Sequence, residues 1–162
     1  KVSAHCGWST PEVYEIWTGK AVIYMQESGQ DDPRRCFAVE AGAGDVVIVP
    51  PGWVHATISA DPKQPLTFGA WCDRDYGFAY ADVRRHGGIA WFPLLTAEGK
   101  LRWTPNPAYH TSQLTIKPPH DYSDMGLEKG KSIYRQFEED PDRFLFVSDP
   151  ARAANIWKNY IP

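Results

Sequence analysis

Residues 44–59 read GDVVIVPPGWVHATIS, and no other stretch limits the fold as tightly. Val46 to Val49 is a run of β-branched residues too short for a helix and suited to a buried strand. Pro50 and Pro51 end it, because proline donates no ladder hydrogen bond. Gly44 and Gly52 supply turns that other residues resist. A second strand must then start near Trp53 and carry His55 into the interior.

The rest of the N-terminal half follows the same grammar. Strands are expected over Glu12–Trp17, Lys20–Gln26, Cys36–Glu40, Val46–Val49, Trp53–Ser59 and Leu66–Cys72. Thr18-Gly19, the polar loop Glu27–Arg35, Ala41–Asp45 and Asp61–Lys63 are the turns between them. Strands at intervals of about 8–12 residues indicate a sandwich or barrel. Fourteen prolines and thirteen glycines suit that reading.

Beyond Asp73 the texture changes. Phe78–His86 reads as a short helix. Ile89–Leu95 reads as a strand that Pro93 confines to an edge or bulge. Trp103–His110 reads as proline-rich loop, and Leu114–Ile116 as a brief strand. Ser132–Glu139 and Pro150–Asn159 are expected helices, the second capped by Asp149. The expected division is a β-domain over 1–95 and a C-terminal extension over 96–162.

Composition removes other classes. The 162 residues carry a net charge of −3 with scattered Lys and Arg, which argues against nucleic acid or a basic membrane face. No apolar run approaches the roughly 18 residues of a spanning helix. Cys6, Cys36 and Cys72 are odd in number and widely spaced, which favours a reducing compartment over a disulfide framework.

Gly44, Pro50, Gly52 and His55 follow the second cupin motif, G-x5-P-x-G-x2-H-x3-N, with Ser59 in the place of Asn. The first cupin motif has an H-x-H pair, a Glu and a Gly. Here His5, Glu12 and Gly19 keep that spacing, and Ser3 stands where the first His is expected. Three further features are Glu12-Val13-Tyr14, the Pro50-Pro51-Gly52-Trp53-Val54-His55 segment and Asp75-Tyr76-Gly77. With them, residues 1–95 resemble the cupin-type glucose-6-phosphate isomerases of archaea and bacteria.

That resemblance implies an all-β cupin double-stranded β-helix, a jelly-roll barrel, with a partly helical extension. It implies metal-dependent conversion of glucose 6-phosphate to fructose 6-phosphate, a step of glycolysis and gluconeogenesis in the cytoplasm. One divalent ion (Fe, Mn, Ni or Zn) would be held by His5, Glu12 and His55. Glu12 would also be the proton carrier on a route through an enediol, a hydride shift between C2 and C1 being the alternative route, and Tyr14 and Tyr76 would line the sugar pocket as catalytic and binding hydroxyls. The partner is a small sugar phosphate, with no nucleic acid and no membrane, and a homodimer is expected. The family's phosphate grip comes partly from a strand upstream of H-x-H, and only Lys1 and Val2 precede Ser3. The N-terminal strand is therefore expected to be truncated or missing. A non-catalytic sugar-binding cupin, or another metal cupin such as a dioxygenase or an epimerase-like enzyme, is the alternative.

The remaining residues are assigned plain roles. Trp53 and Trp71 are expected to pack, and Glu15 to be a solvated strand carboxylate. His86, His110 and His120 are expected on the surface or in loops, and Arg84-Arg85 on a solvated helix face. Glu138-Glu139-Asp140 is the expected exposed helix end.

Overall fold

Val13 and Tyr14 are neighbours on one strand, yet each is buried in a different core. The computed structural model describes residues 2–3 and 7–162, the side chains of Val2, Ser3 and Tyr76 excepted. In chain order the strands are β1 (Val2–Ser3), β2 (Glu12–Thr18), β3 (Lys20–Gln26), β4 (Cys36–Gly42), β5 (Val46–Val49) and β6 (Val54–Ser59). They continue as β7 (Thr67–Cys72), β8 (Tyr76–Gly77), β9 (Trp91–Leu95), β10 (Leu101–Pro105) and β11 (Leu114–Lys117). The helices are α1 (Ala81–Arg85), α2 (Ile133–Glu139), α3 (Leu145–Ser148) and α4 (Ala154–Lys158).

Two sheets dominate, in the orders β11-β4-β3-β6 and β5-β2-β7. They share one core: Tyr14, Ile16, Val47 and Val49 from one sheet meet Ile23, Met25, Phe37 and Val39 from the other. Both sheets are covered on their outer faces as well. Val13 and Ile48 lie against Leu127, Phe144, Phe146 and Tyr160 of the C-terminal segment. Tyr24 and Cys36 lie under Ala90 and Tyr109, with Trp103 stacked on Tyr24 at 5.7 Å. Burial on both faces explains why β3 reads as an almost unbroken apolar run instead of alternating.

The expected strands of the N-terminal half all form, as does the positive φ at Gly44 (87°) and Gly52 (83°). Ser132 caps α2, accepting from the Arg135 N–H. Several expectations are corrected. The first three residues of the stretch Trp103–His110, read as loop, belong to β10, because Trp103 gains a buried partner in Tyr24 and the ladder to β9 tolerates Pro93 and Pro105 on a two-stranded ribbon. The Pro150–Asn159 helix is split into a 3-10 turn, Pro150–Ala153, and α4. Asp149 makes no cap there and pairs instead with Arg152 at 3.3 Å.

Glu15 is not solvated: it is buried and accepts from Trp17 Nε1 at 3.2 Å. His86 is buried too, with its ring stacked 4.0 Å from that of Tyr109. Residues past 95 also contribute to the sheets. β11 runs parallel to β4, with Leu114 opposite Cys36 and Lys117 opposite Val39. No helix among the described residues is long and apolar enough to cross a membrane.

Candidate active site

Register places three chemically distinct side chains at one end of the shared core. Glu12 and Tyr14 are two residues apart on β2, so they point to the same side of the sheet. Glu12 opens that strand, opposite Val49 on one neighbour and Cys72 on the other. His55 stands opposite Met25 on the facing sheet, immediately after the Pro50-Pro51-Gly52 turn. That turn restarts the chain so that His55 points inward with Thr57 and Ser59, opposite Ile23 and Ala21.

The three side chains touch. The Tyr14 hydroxyl donates to Glu12 Oε2 at 2.6 Å and lies 3.2 Å from His55 Nε2. Glu12 Oε1 is 3.3 Å from the same nitrogen. The other ring nitrogen, Nδ1, faces the Trp53 carbonyl oxygen at 3.4 Å. Glu12 and Tyr14 are each 6% exposed, so these contacts sit in a largely dry environment. Burial pushes the Tyr14 phenol far above the ordinary tyrosine range, and the Glu12 carboxylate adds to the shift. The Thr57 hydroxyl acts in the opposite sense but does not offset it. Tyr14 therefore stays protonated at neutral pH and is a donor.

The donor set suits a divalent ion. Imidazole and carboxylate are ligands for zinc and for first-row transition metals. Two donors on one ion with bonds of about 2.1 Å lie about 3.0–3.4 Å apart, and Glu12 Oε1 and His55 Nε2 are separated by 3.3 Å. A ligating His commonly donates its second ring N–H to a carbonyl, as the Trp53 contact allows. Among the described residues no group of three or more His, Cys, Asp or Glu comes together as a ligand set. His5, the other expected ligand, lies outside the described residues, as does the side chain of Tyr76. The backbones of Ser3 and Tyr76 pair directly, since β1 and β8 form a two-stranded ribbon.

A cleft of about 510 Å³ opens onto His55, bounded among others by Arg34, Trp53, Phe78 and Tyr80. Trp53 packs, as expected, with its ring stacked 5.9 Å from that of Phe37. Trp71 does likewise against Phe137 at 4.4 Å. Sequence reasoning missed Thr57, although its position two residues after His55 on the same strand face was a usable signal. It also missed the cleft, whose walls come from a polar loop and from the segment around α1.

Two facing sheets, one antiparallel and one mixed, with short C-terminal helices, and a carboxylate, a phenol and an imidazole gathered between them, define a mostly β protein compatible with a cupin fold. The chain belongs to the glucose-6-phosphate isomerase (GPI) family, whose model matches residues 3–110, two thirds of its length. No curated protein matches it.

Proposed function

We propose that the chain interconverts glucose 6-phosphate and fructose 6-phosphate with the help of one divalent metal ion, inside the jelly-roll barrel of a cupin. The observation that carries this reading is the contact of Glu12, Tyr14 and His55 at the mouth of the shared core, in a chain of this family. Glu12 and His55 would hold the ion together with His5. A bound ion there supplies a Lewis acid for the carbonyl oxygen of the open-chain sugar.

The reaction moves one hydrogen between C1 and C2. Glu12 takes the C2 proton of the aldose and returns it to C1, while the hydroxyl proton at O2 is transferred to O1. The Tyr14 hydroxyl holds Oε2 by hydrogen bond and fixes the direction of the carboxylate. Burial of the pair excludes bulk water that would exchange the carried proton. Tyr76, on the strand beside Ser3, is proposed to contact the sugar.

A coupled assay for fructose 6-phosphate with added Mn²⁺ or Fe²⁺ tests the proposal directly. Turnover that is lost in Glu12→Gln while the fold survives is the expected result. Metal binding without turnover of any hexose phosphate would favour the non-catalytic sugar-binding cupin instead. Oxygen uptake with a small organic substrate would favour a dioxygenase.

A further inference from the structure

Arg34 and Arg35 are adjacent in the loop between β3 and β4, but they are used in opposite ways. Arg35 is fully engaged. Its Nε donates to Glu27 Oε2 at 2.9 Å, its Nη1 donates to the Tyr160 carbonyl at 2.9 Å, and its guanidinium lies 5.1 Å over the Trp53 ring. Among the described residues the Arg34 side chain makes one loose contact, 4.0 Å to Glu27, and it is 63% exposed. It lines the cleft that opens onto His55.

The backbone presents Arg34 at a cost. Its φ of 58° makes it the one non-glycine among the described residues in the left-handed region. Asp32 Oδ1 accepts from the Arg34 N–H at 2.9 Å and holds that conformation. The loop around it is anchored elsewhere. Asp31 accepts from Arg85 and contacts His86 Nε2, each at 3.0 Å, and its carbonyl accepts from the His110 N–H at 2.7 Å. Charge in the cleft is also unequally committed. The Glu27 carboxylate is taken by Arg35, and Asp82 is taken by Gln30 at 2.7 Å and Arg85 at 3.5 Å. Among the described residues that line the cleft, Arg34 is left as the guanidinium with donors to spare.

We propose that Arg34 anchors the phosphate of the sugar phosphate in this cleft. The inference rests on the isomerase reading for the sugar and on the geometry above for the anion. A guanidinium offers paired N–H groups that match two phosphate oxygens. Arg34 and His55 line the same cleft, and His55 contacts Tyr14 and Glu12, so a sugar phosphate held at Arg34 by its phosphate would present its C1–C2 end toward that trio. Arg34 is thus a specificity-determining residue for phosphorylated over free sugars.

The test uses Arg34→Gly, which keeps the left-handed backbone without strain, and Arg34→Lys, which keeps the charge but not the fork. Binding of inorganic phosphate is measured by calorimetric titration on the intact chain, with circular dichroism confirming the fold. The expected result is phosphate affinity weakened by about 10- to 100-fold in Arg34→Gly and partly retained in Arg34→Lys. In turnover, KM for glucose 6-phosphate rises by a similar factor while kcat falls less. Wild-type protein that binds no phosphate, or an Arg34→Gly variant that binds it as tightly as wild type, overturns the proposal. Phosphate binding that depends on Arg34, in a protein that does not isomerise glucose 6-phosphate, overturns the isomerase reading and leaves the anchor standing.

Discussion

The Tyr14 hydroxyl is 2.6 Å from Glu12 Oε2, and the two side chains sit on one face of one strand. The contact is short because the pair is buried and because a charged carboxylate is a stronger acceptor than the His55 nitrogen 3.2 Å away. A carboxylate held this way has one oxygen fixed by Tyr14 and the other facing His55. Its direction is set before any substrate arrives.

Glu12→Gln keeps the shape and removes the base. Isomerase turnover is expected to fall by at least about 10²-fold, the ordinary contribution of a positioned proton carrier. Tyr14→Phe removes a hydrogen bond to a charged group and is expected to lower kcat by roughly 10- to 100-fold with little change in KM. Steady-state kinetics on both variants checks this, and unchanged kcat in Glu12→Gln overturns the assigned role.

His55 is the residue on which the metal proposal turns. Its Nε2 and Glu12 Oε1 are spaced as two ligands of one ion would be, and its Nδ1 faces the Trp53 carbonyl. His55→Gln is expected to lower Mn²⁺ or Fe²⁺ affinity by at least about tenfold and to abolish activation by added metal. Metal analysis after dialysis gives the stoichiometry, expected at one ion per chain in wild type. Treatment with a chelator should remove activity, and adding Mn²⁺ back should restore it.

The half of the fold that was legible in the sequence was the half with strict punctuation. VVIV-PPG-W-x-H could be laid on strands because prolines and left-handed glycines leave few conformations. Glu12, Tyr14 and His55 could be named because their motifs resemble those of a known family. Their contact could not, because it depends on two sheets facing each other across the core. Tertiary partners decided the second half. Trp103 is strand because Tyr24 stacks on it, and Glu15 is buried because Trp17 bonds to it and the C-terminal segment covers that face. Nothing local marks either outcome.

Tyrosine ionisation reports on the outer cores. Burial raises the phenols of Tyr24 and Tyr160 well above the usual value of 10.0 and pushes that of Tyr122 up as well. In the unfolded chain the same groups ionise near pH 10. Between those limits the unfolded state binds fewer protons than the folded one, so stability falls as pH rises. The protein is expected to hold its stability below about pH 10 and to lose it progressively above. Absorbance at the tyrosinate band should show these three rings ionising together with the loss of secondary structure, and not before it.

The C-terminal segment completes an exposed strand, and this gives the last prediction. Among the described residues β5 is an edge strand, paired with β2 alone in the order β5-β2-β7. An unpaired edge invites association with another chain. Here Tyr160 donates its hydroxyl to the Ile48 carbonyl at 2.6 Å, and the Ile48 N–H donates to the Tyr122 hydroxyl at 3.0 Å. Two phenols thus take the place of a neighbouring strand, and they lie in the same core as Phe144 and Val13. Tyr160→Phe leaves a buried carbonyl without its donor and is expected to cost about 1–3 kcal/mol. Phe144→Ala empties part of the same core and is expected to cost about 3–5 kcal/mol. Denaturant unfolding measures both. Because the two residues share one core, the double variant should depart from additivity. Released from the edge, β5 should also gain hydrogen exchange and a tendency to self-associate, readable by exchange mass spectrometry and light scattering. A Tyr160→Phe variant as stable and as protected at Ile48 as wild type would show that the edge is held by something other than these two hydroxyls.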